Sequence, residues 1–76
     1  MRFGETLRRL RLAGKLSQAE LAKRSGLSAR NVQNWEQGHR VPRAPSLLAL
    51  ARALGVTVDT LLGDAGEGVP GDGKGA

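Results

Sequence analysis

The sequence predicts an all-α fold of five short helices followed by a flexible glycine-rich tail, and three observations carry that expectation. Apolar residues recur at three- and four-residue spacing, the stripe by which a helix faces a core, as in Phe3, Leu7 and Leu10. Ser17, Ser28 and Thr57 stand where a helix N-cap would accept a backbone amide. Gly14, Gly26, Gly38, Gly55 and Gly63 fall where the stripes stop. A chain of 76 residues has room for one small domain with a minimal core.

Taken in order, Phe3 to Ala13 reads as the first helix, flanked by Arg8, Arg9 and Arg11 and ended by Gly14. Leu16 packs the entry to the second. There Ser17 and Glu20 have capping-box spacing, in which hydroxyl and carboxylate each satisfy the other residue's amide. This helix turns Leu21 and Ala22 inward and stops near Gly26. Ser25-Gly26-Leu27-Ser28 joins it to the third helix, which Ser28 caps and which runs to Gln37, where Gly38 stops it. His39 to Pro45 holds two prolines and reads as a loop, with Pro45 suited to the first turn of the next helix. Ser46 to Leu54 follows as the fourth helix, with Leu47, Leu50, Ala51 and Leu54 inward. Thr57 caps a short fifth helix, Val58 to Leu62. Residues 1–63 are thus the expected folded domain, and 64–76, DAGEGVPGDGKGA, the tail. Its five glycines and single larger aliphatic residue cannot bury enough surface to order it.

The third helix carries the functional signal. At about 100° per residue, Ser28, Val32 and Trp35 cluster on one side with Glu36 at the border. Arg30, Gln33, Asn34 and Gln37 gather opposite, with Ala29 between. The outer face is one guanidinium and three amides rather than alternating Glu and Lys. Those are the groups that pair with base edges in a major groove, amides with adenine and guanidinium with guanine. The short connection to the preceding helix has helix-turn-helix spacing. Trp35, the only tryptophan, lies beside Val32 and reads as core rather than as a base-stacking platform.

Composition narrows the alternatives. Residues 1–62 hold eleven Lys and Arg against Glu5, Glu20, Glu36 and Asp59, a formal +7. Residues 63–76 hold Lys74 against Asp64, Glu67 and Asp72, a formal −2, which completes the chain's +5. A basic body suits a polyanionic partner. Cysteine is absent, so no disulfide or thiolate metal site is available, and the lone His39 reads as a loop residue. No nucleophile–base–acid set, metal-ligand cluster or phosphate-binding glycine loop stands out, so no enzymatic activity, metal, cofactor or small-molecule ligand is expected. No apolar run approaches the ~20 residues of a membrane span. Met1-Arg2-Phe3 lacks a signal peptide's apolar region. A cytoplasmic protein is expected.

Leu7-Arg8-Arg9-Leu10-Arg11, Leu16-Ser17-Gln18-Ala19-Glu20-Leu21-Ala22, Gly26-Leu27-Ser28 and Val32 form a longer pattern with Trp35-Glu36-Gln37-Gly38 and Arg40-Val41-Pro42. Leu47, Leu50-Ala51, Ala53-Leu54-Gly55-Val56 and Leu61-Leu62 extend it. This pattern resembles the phage-repressor and Cro-like helix-turn-helix regulators, the XRE family, over about residues 3–63.

The resemblance implies a compact five-helix repressor-like domain, with helices two and three as the helix-turn-helix, that binds double-stranded DNA as a transcriptional regulator, chiefly a repressor. Such proteins are bacterial or phage-type and associate with the nucleoid. The third helix would enter the major groove, bringing Ser28, Ala29, Arg30, Gln33 and Asn34 to bases or the adjoining backbone. Ala29 departs from the longer polar residue of many relatives, which leaves only apolar contact with a thymine methyl there. Gln18 would anchor a phosphate at a helix N-terminus and buttress the reading helix. Gln37, Arg40 and Arg43 would clamp the backbone. Glu36 would pair with Arg11, joining the first and third helices. Arg8, Arg9, Lys15 and Lys23 read as solvated surface, and Arg52 has no assigned role.

One domain of this size covers a half-site, so a homodimer is expected, with reading helices one turn or about 34 Å apart. Val58, Leu61 and Leu62 are its candidate interface, because a five-residue helix cannot bury all three internally, with ordinary core packing as the other reading of the three. The rival function is a helix-turn-helix protein-interaction module, of the antitoxin or bridging-factor kind, with weak nonspecific DNA binding. A third reading makes the chain the DNA-binding part of a larger regulator.

Overall fold

The computed structural model describes residues 3–63; the expected tail, 64–76, lies outside them. Five helices follow one another: α1 (Phe3–Ala13), α2 (Gln18–Ser25), α3 (Ala29–Gln37), α4 (Ala44–Leu54) and α5 (Val58–Leu62). No strand occurs among the described residues. None of these helices is long and apolar enough to cross a membrane.

Local chemistry accounts for most helix boundaries. The Ser17 hydroxyl accepts the Glu20 amide at 3.0 Å while the Ser17 amide donates to the Glu20 carboxylate at 2.7 Å, completing the capping box. Ser28 and Thr57 accept from the amides of Asn31 and Thr60. Gly26 and Gly38 close α2 and α3 in the left-handed region, at φ 74° and 80°, where a missing Cβ removes the steric penalty. In each case the next residue's amide reaches back five positions, Leu27 to Ala22 and His39 to Asn34, both at 2.9 Å.

The first helix ends at Ala13 as expected, but its closure and the start of α4 depart from the simplest reading. The left-handed residue closing α1 is Lys15, at φ 60°, and not Gly14. Its amide donates to the Leu12 carbonyl, and the Leu16 amide to that of Arg11. This is the same closure as at Gly26 and Gly38, with a side chain where glycine would be free of strain. Lys15→Gly is therefore expected to raise stability by about 0.5–1 kcal/mol, the relief of left-handed strain less the entropy of an added glycine. A thermal melt reading no gain would contradict it. The second difference is α4, which begins at Ala44, two residues before the expected Ser46. A proline lacks an amide that would be orphaned anywhere in the first turn, so Pro45 sits inside that turn.

The capping box also makes a pH-dependent contribution. Hydrogen bonding to Ser17, with the Arg24 cation nearby, holds the Glu20 carboxyl below its ordinary 4.5. A depressed carboxyl stabilises the fold above its unfolded value, and that contribution disappears as pH falls through the folded one. Stability of wild type over Glu20→Gln is thus expected to be constant above pH 5 and to shrink on acidification below about 4.5. A gap independent of pH would remove the carboxylate from the cap.

Phe3, Leu7, Leu16, Leu21, Ala22, Val32, Trp35, Leu50, Ala51 and Leu61 form one core. Around it α1 packs on α3 and α5, α2 on α3 and α4, and α4 on α5. Leu10, Leu47 and Leu54 are half-buried against it. The whole arrangement leaves one face of α3 outward, held from behind by α1 and α2.

Candidate nucleic-acid interface

On α3 the inward residues are Val32 and Trp35, both buried as expected. Arg30, Gln33 and Gln37 are exposed, as is Ala29, while Asn34 is half-buried. Ser28 is exposed rather than inward with Val32. As N-cap it has extended backbone, φ −96° and ψ 150°, so helical periodicity does not extend to it. Its oxygen accepts from Asn31, which leaves the hydroxyl proton available outward.

The one acid of α3, Glu36, points away from that face. Arg11 on α1 grips its carboxylate twice, Nε to Oε2 at 2.6 Å and Nη2 to Oε1 at 3.1 Å. The third Arg11 bond, Nη1 to the Leu16 carbonyl, is 2.8 Å. Gln18, the first residue of α2, donates its amide to Glu36 Oε1 at 3.1 Å. One carboxylate thus ties three helices together, and the side chains of Arg11 and Glu36 are only 10% and 5% exposed. Burial makes this forked pair geometrically exacting, though desolvation offsets much of its attraction. The buttress expected of Gln18 therefore runs through Glu36. Removal of that charge from the outward face leaves Arg30 and the amides with no competing anion on their own helix.

A close approach sets how α1 meets the end of α3. A Cβ on Gly4 would lie 2.5 Å from the Glu36 carbonyl oxygen and 2.6 Å from that of Trp35. Only glycine lets the two backbones come so near.

Beyond α3, Arg40 and Arg43 are exposed on the connection to α4, which buried Pro42 pins to the body. Arg43 occupies the N-cap of α4 without a side-chain cap bond, so its guanidinium is not engaged there. Arg8 is exposed, as its reading as solvated surface expected, and it also lines a cleft of about 400 Å³ with Arg11, Gln18, Glu36 and Gln37. The only sequence signal for this placement was its position one turn before Arg11.

The candidate dimer surface needs correction. Leu61 is fully buried within the single chain and belongs to the core, because α5 packs between α1 and α4. Val58 and Leu62 are half-buried against the same cluster. The short helix buries more of its apolar surface than its length suggested.

The sequence pattern of a family described as helix-turn-helix matches residues 7–61. The transcriptional repressor RghR of Bacillus subtilis is 42% identical over 65 residues, 84% of this chain and 48% of that protein. The chain therefore spans about half the length of that relative. Among solved structures, the restriction-modification controller protein C.AhdI of Aeromonas hydrophila is 42% identical with TM-score 0.77, covering 79% of this chain and 91% of that one. The P22 c2 repressor, solved in complex with a synthetic operator, is 36% identical with TM-score 0.77, covering 83% and 96%.

Proposed function

Because the chain belongs to the helix-turn-helix family, of the phage-repressor and Cro-like type, we propose that it is a sequence-specific double-stranded DNA-binding regulator, a repressor. It reads an operator half-site in the major groove with α3. The observation that carries this reading is the outward face of α3, where Arg30, Gln33 and Gln37 are exposed while Glu36 is drawn inward by Arg11. Guanidinium and amide groups on a rigid helix can form paired hydrogen bonds to base edges, and the three-helix tie through Glu36 holds that face in register.

In this reading Ser28, Ala29, Arg30, Gln33 and Asn34 meet bases or the adjoining backbone. Gln18, Gln37, Arg40 and Arg43 hold phosphates and supply most of the affinity and its salt dependence. Residues 1–63 are the binding unit and act in the cytoplasm without enzymatic chemistry or a cofactor. A homodimer places two reading helices about 34 Å apart, with Val58 and Leu62 as the part of α5 left to contribute. The operator-bound repressor of phage P22, similar in fold and sequence, supports the DNA partner.

Selection from a random duplex pool near physiological salt, followed by anisotropy titration, tests the proposal. The expected product is an inverted repeat with half-sites one turn apart. On that duplex Arg30→Ala and Asn34→Ala are each expected to cost about 1–3 kcal/mol, roughly 5–150-fold in affinity, with little loss on random duplex. No enrichment, and binding that vanishes as salt rises, would replace sequence reading by a protein-directed module with incidental DNA affinity.

A further inference from the structure

The DNA-reading role leaves one residue of a cleft unaccounted for, Arg8 of α1, which lines it with Arg11 of the same helix, Gln18 of α2, and Glu36 and Gln37 of α3. Three helices contribute to it, and their groups have unequal freedom. Arg11 and Glu36 are spent on each other, and their charges cancel. Gln18 gives one amide hydrogen to Glu36, which leaves its second hydrogen and its carbonyl oxygen. Gln37 is exposed at the last turn of α3. Arg8 is exposed and has no ion-pair partner among the described residues, so all five of its donors are available.

Helix dipoles alone do not decide what this cleft attracts. The N-terminus of α2, at Gln18, favours an anion, while the C-terminus of α3, at Gln37, disfavours one. Glu20, the other acid at the start of α2, is folded back onto the Ser17 amide. With the dipoles opposed and the Arg11–Glu36 pair neutral, the guanidinium of Arg8 sets the sign. The cleft is therefore cationic only because Arg8 is there, and it opens beside the reading helix.

We propose that Arg8 is a further DNA-backbone contact, seating one phosphate of each half-site in this cleft together with Gln18 and Gln37. The inference rests on the DNA-binding reading and extends it to α1, which that reading otherwise leaves as support. A planar fork with five donors suits a phosphate diester, and a backbone contact of this kind strengthens binding without selecting sequence.

The test is anisotropy titration of the selected duplex and of a random duplex over a range of salt, with wild type, Arg8→Gln, Arg8→Lys and Arg52→Gln. Arg52 is exposed on α4 and serves as the control for loss of one surface charge. Removing one phosphate contact reduces the slope of log K against log salt by about 0.9. Arg8→Gln is expected to lose that much per half-site while keeping the wild-type ratio of selected to random affinity. Arg8→Lys should retain most of the slope, and Arg52→Gln all of it. In a duplex with single phosphates replaced by neutral methylphosphonate, one position should weaken wild type several-fold and Arg8→Gln clearly less, because only Gln18 and Gln37 still meet that phosphate. An Arg8→Gln slope equal to that of wild type, or a loss as large as that of wild type at every substituted position, overturns the proposal. Equal affinity of wild type for selected and random duplex would instead overturn sequence reading, and the slopes would still decide the role of Arg8. If wild type binds no duplex, both fall.

Discussion

Glu36→Ala is expected to lower unfolding stability by about 3–5 kcal/mol, the usual consequence of stranding one member of a buried ion pair. The variant leaves the Arg11 guanidinium, whose side chain is 10% exposed, with the Leu16 carbonyl as its one remaining partner. It also releases Gln18, so α2 loses its side-chain tie to α3. A domain of this size is stable by on the order of 3–9 kcal/mol in total, so the variant should be partly unfolded at room temperature. Urea titration followed by fluorescence of Trp35, which is buried one residue away, reads the transition directly. Arg11→Met combined with Glu36→Leu should recover much of the loss, because the cost lies in the unpaired charge and not in absence of the pair. A single-variant loss below 1 kcal/mol would mean that water reaches Arg11 freely and that the tie does not hold the helices together.

Gly4→Ala is expected to cost about 3 kcal/mol, the upper end of what overpacking usually costs. Its Cβ would meet the backbone oxygens of Glu36 and Trp35 at 2.5 and 2.6 Å, and backbone cannot rotate aside as a flexible side chain can. Either α1 or the end of α3 must move, and the Arg11–Glu36 fork spans the same two helices. Gly14→Ala supplies the contrast, since a Cβ there finds only ordinary contacts at 3.6 Å or beyond. That second variant should cost nothing measurable. Equal effects of the two substitutions in thermal melts would mean that α1 and α3 are not in close backbone contact.

Local chemistry was enough to place the elements. Ser17, Ser28 and Thr57 each cap a helix that starts at the next residue, and Gly26 and Gly38 each terminate one. Such signals act within four or five residues along the chain, so they are readable from the sequence wherever they occur. The same holds for the division of α3, where 3.6-residue periodicity put Val32 and Trp35 inside and Arg30, Gln33 and Gln37 outside. The Arg11–Glu36 pair was legible in a different way, through resemblance, since nothing in the spacing of two residues 25 apart makes them neighbours.

Other features depend on what the helices meet. That Lys15 and not Gly14 takes the left-handed turn follows from where α1 must end for Leu16 to enter the core, and composition had favoured the glycine. Leu61 looked available to a partner because a five-residue helix seems too small to bury it, yet α1 and α4 enclose α5. Gly4 appears in the sequence as a weak residue inside a helix, and only the nearness of α3 gives it a purpose. Arg8 has the same character as Arg9 until the fold sets it across from Gln18 and Gln37. The sequence by itself determined the five helices, their caps and the chemistry of the outward face of α3, because those rest on short-range hydrogen bonds and periodicity. The tertiary structure alone decided which backbones touch and where a cleft opens, because those depend on distances between residues remote in the chain.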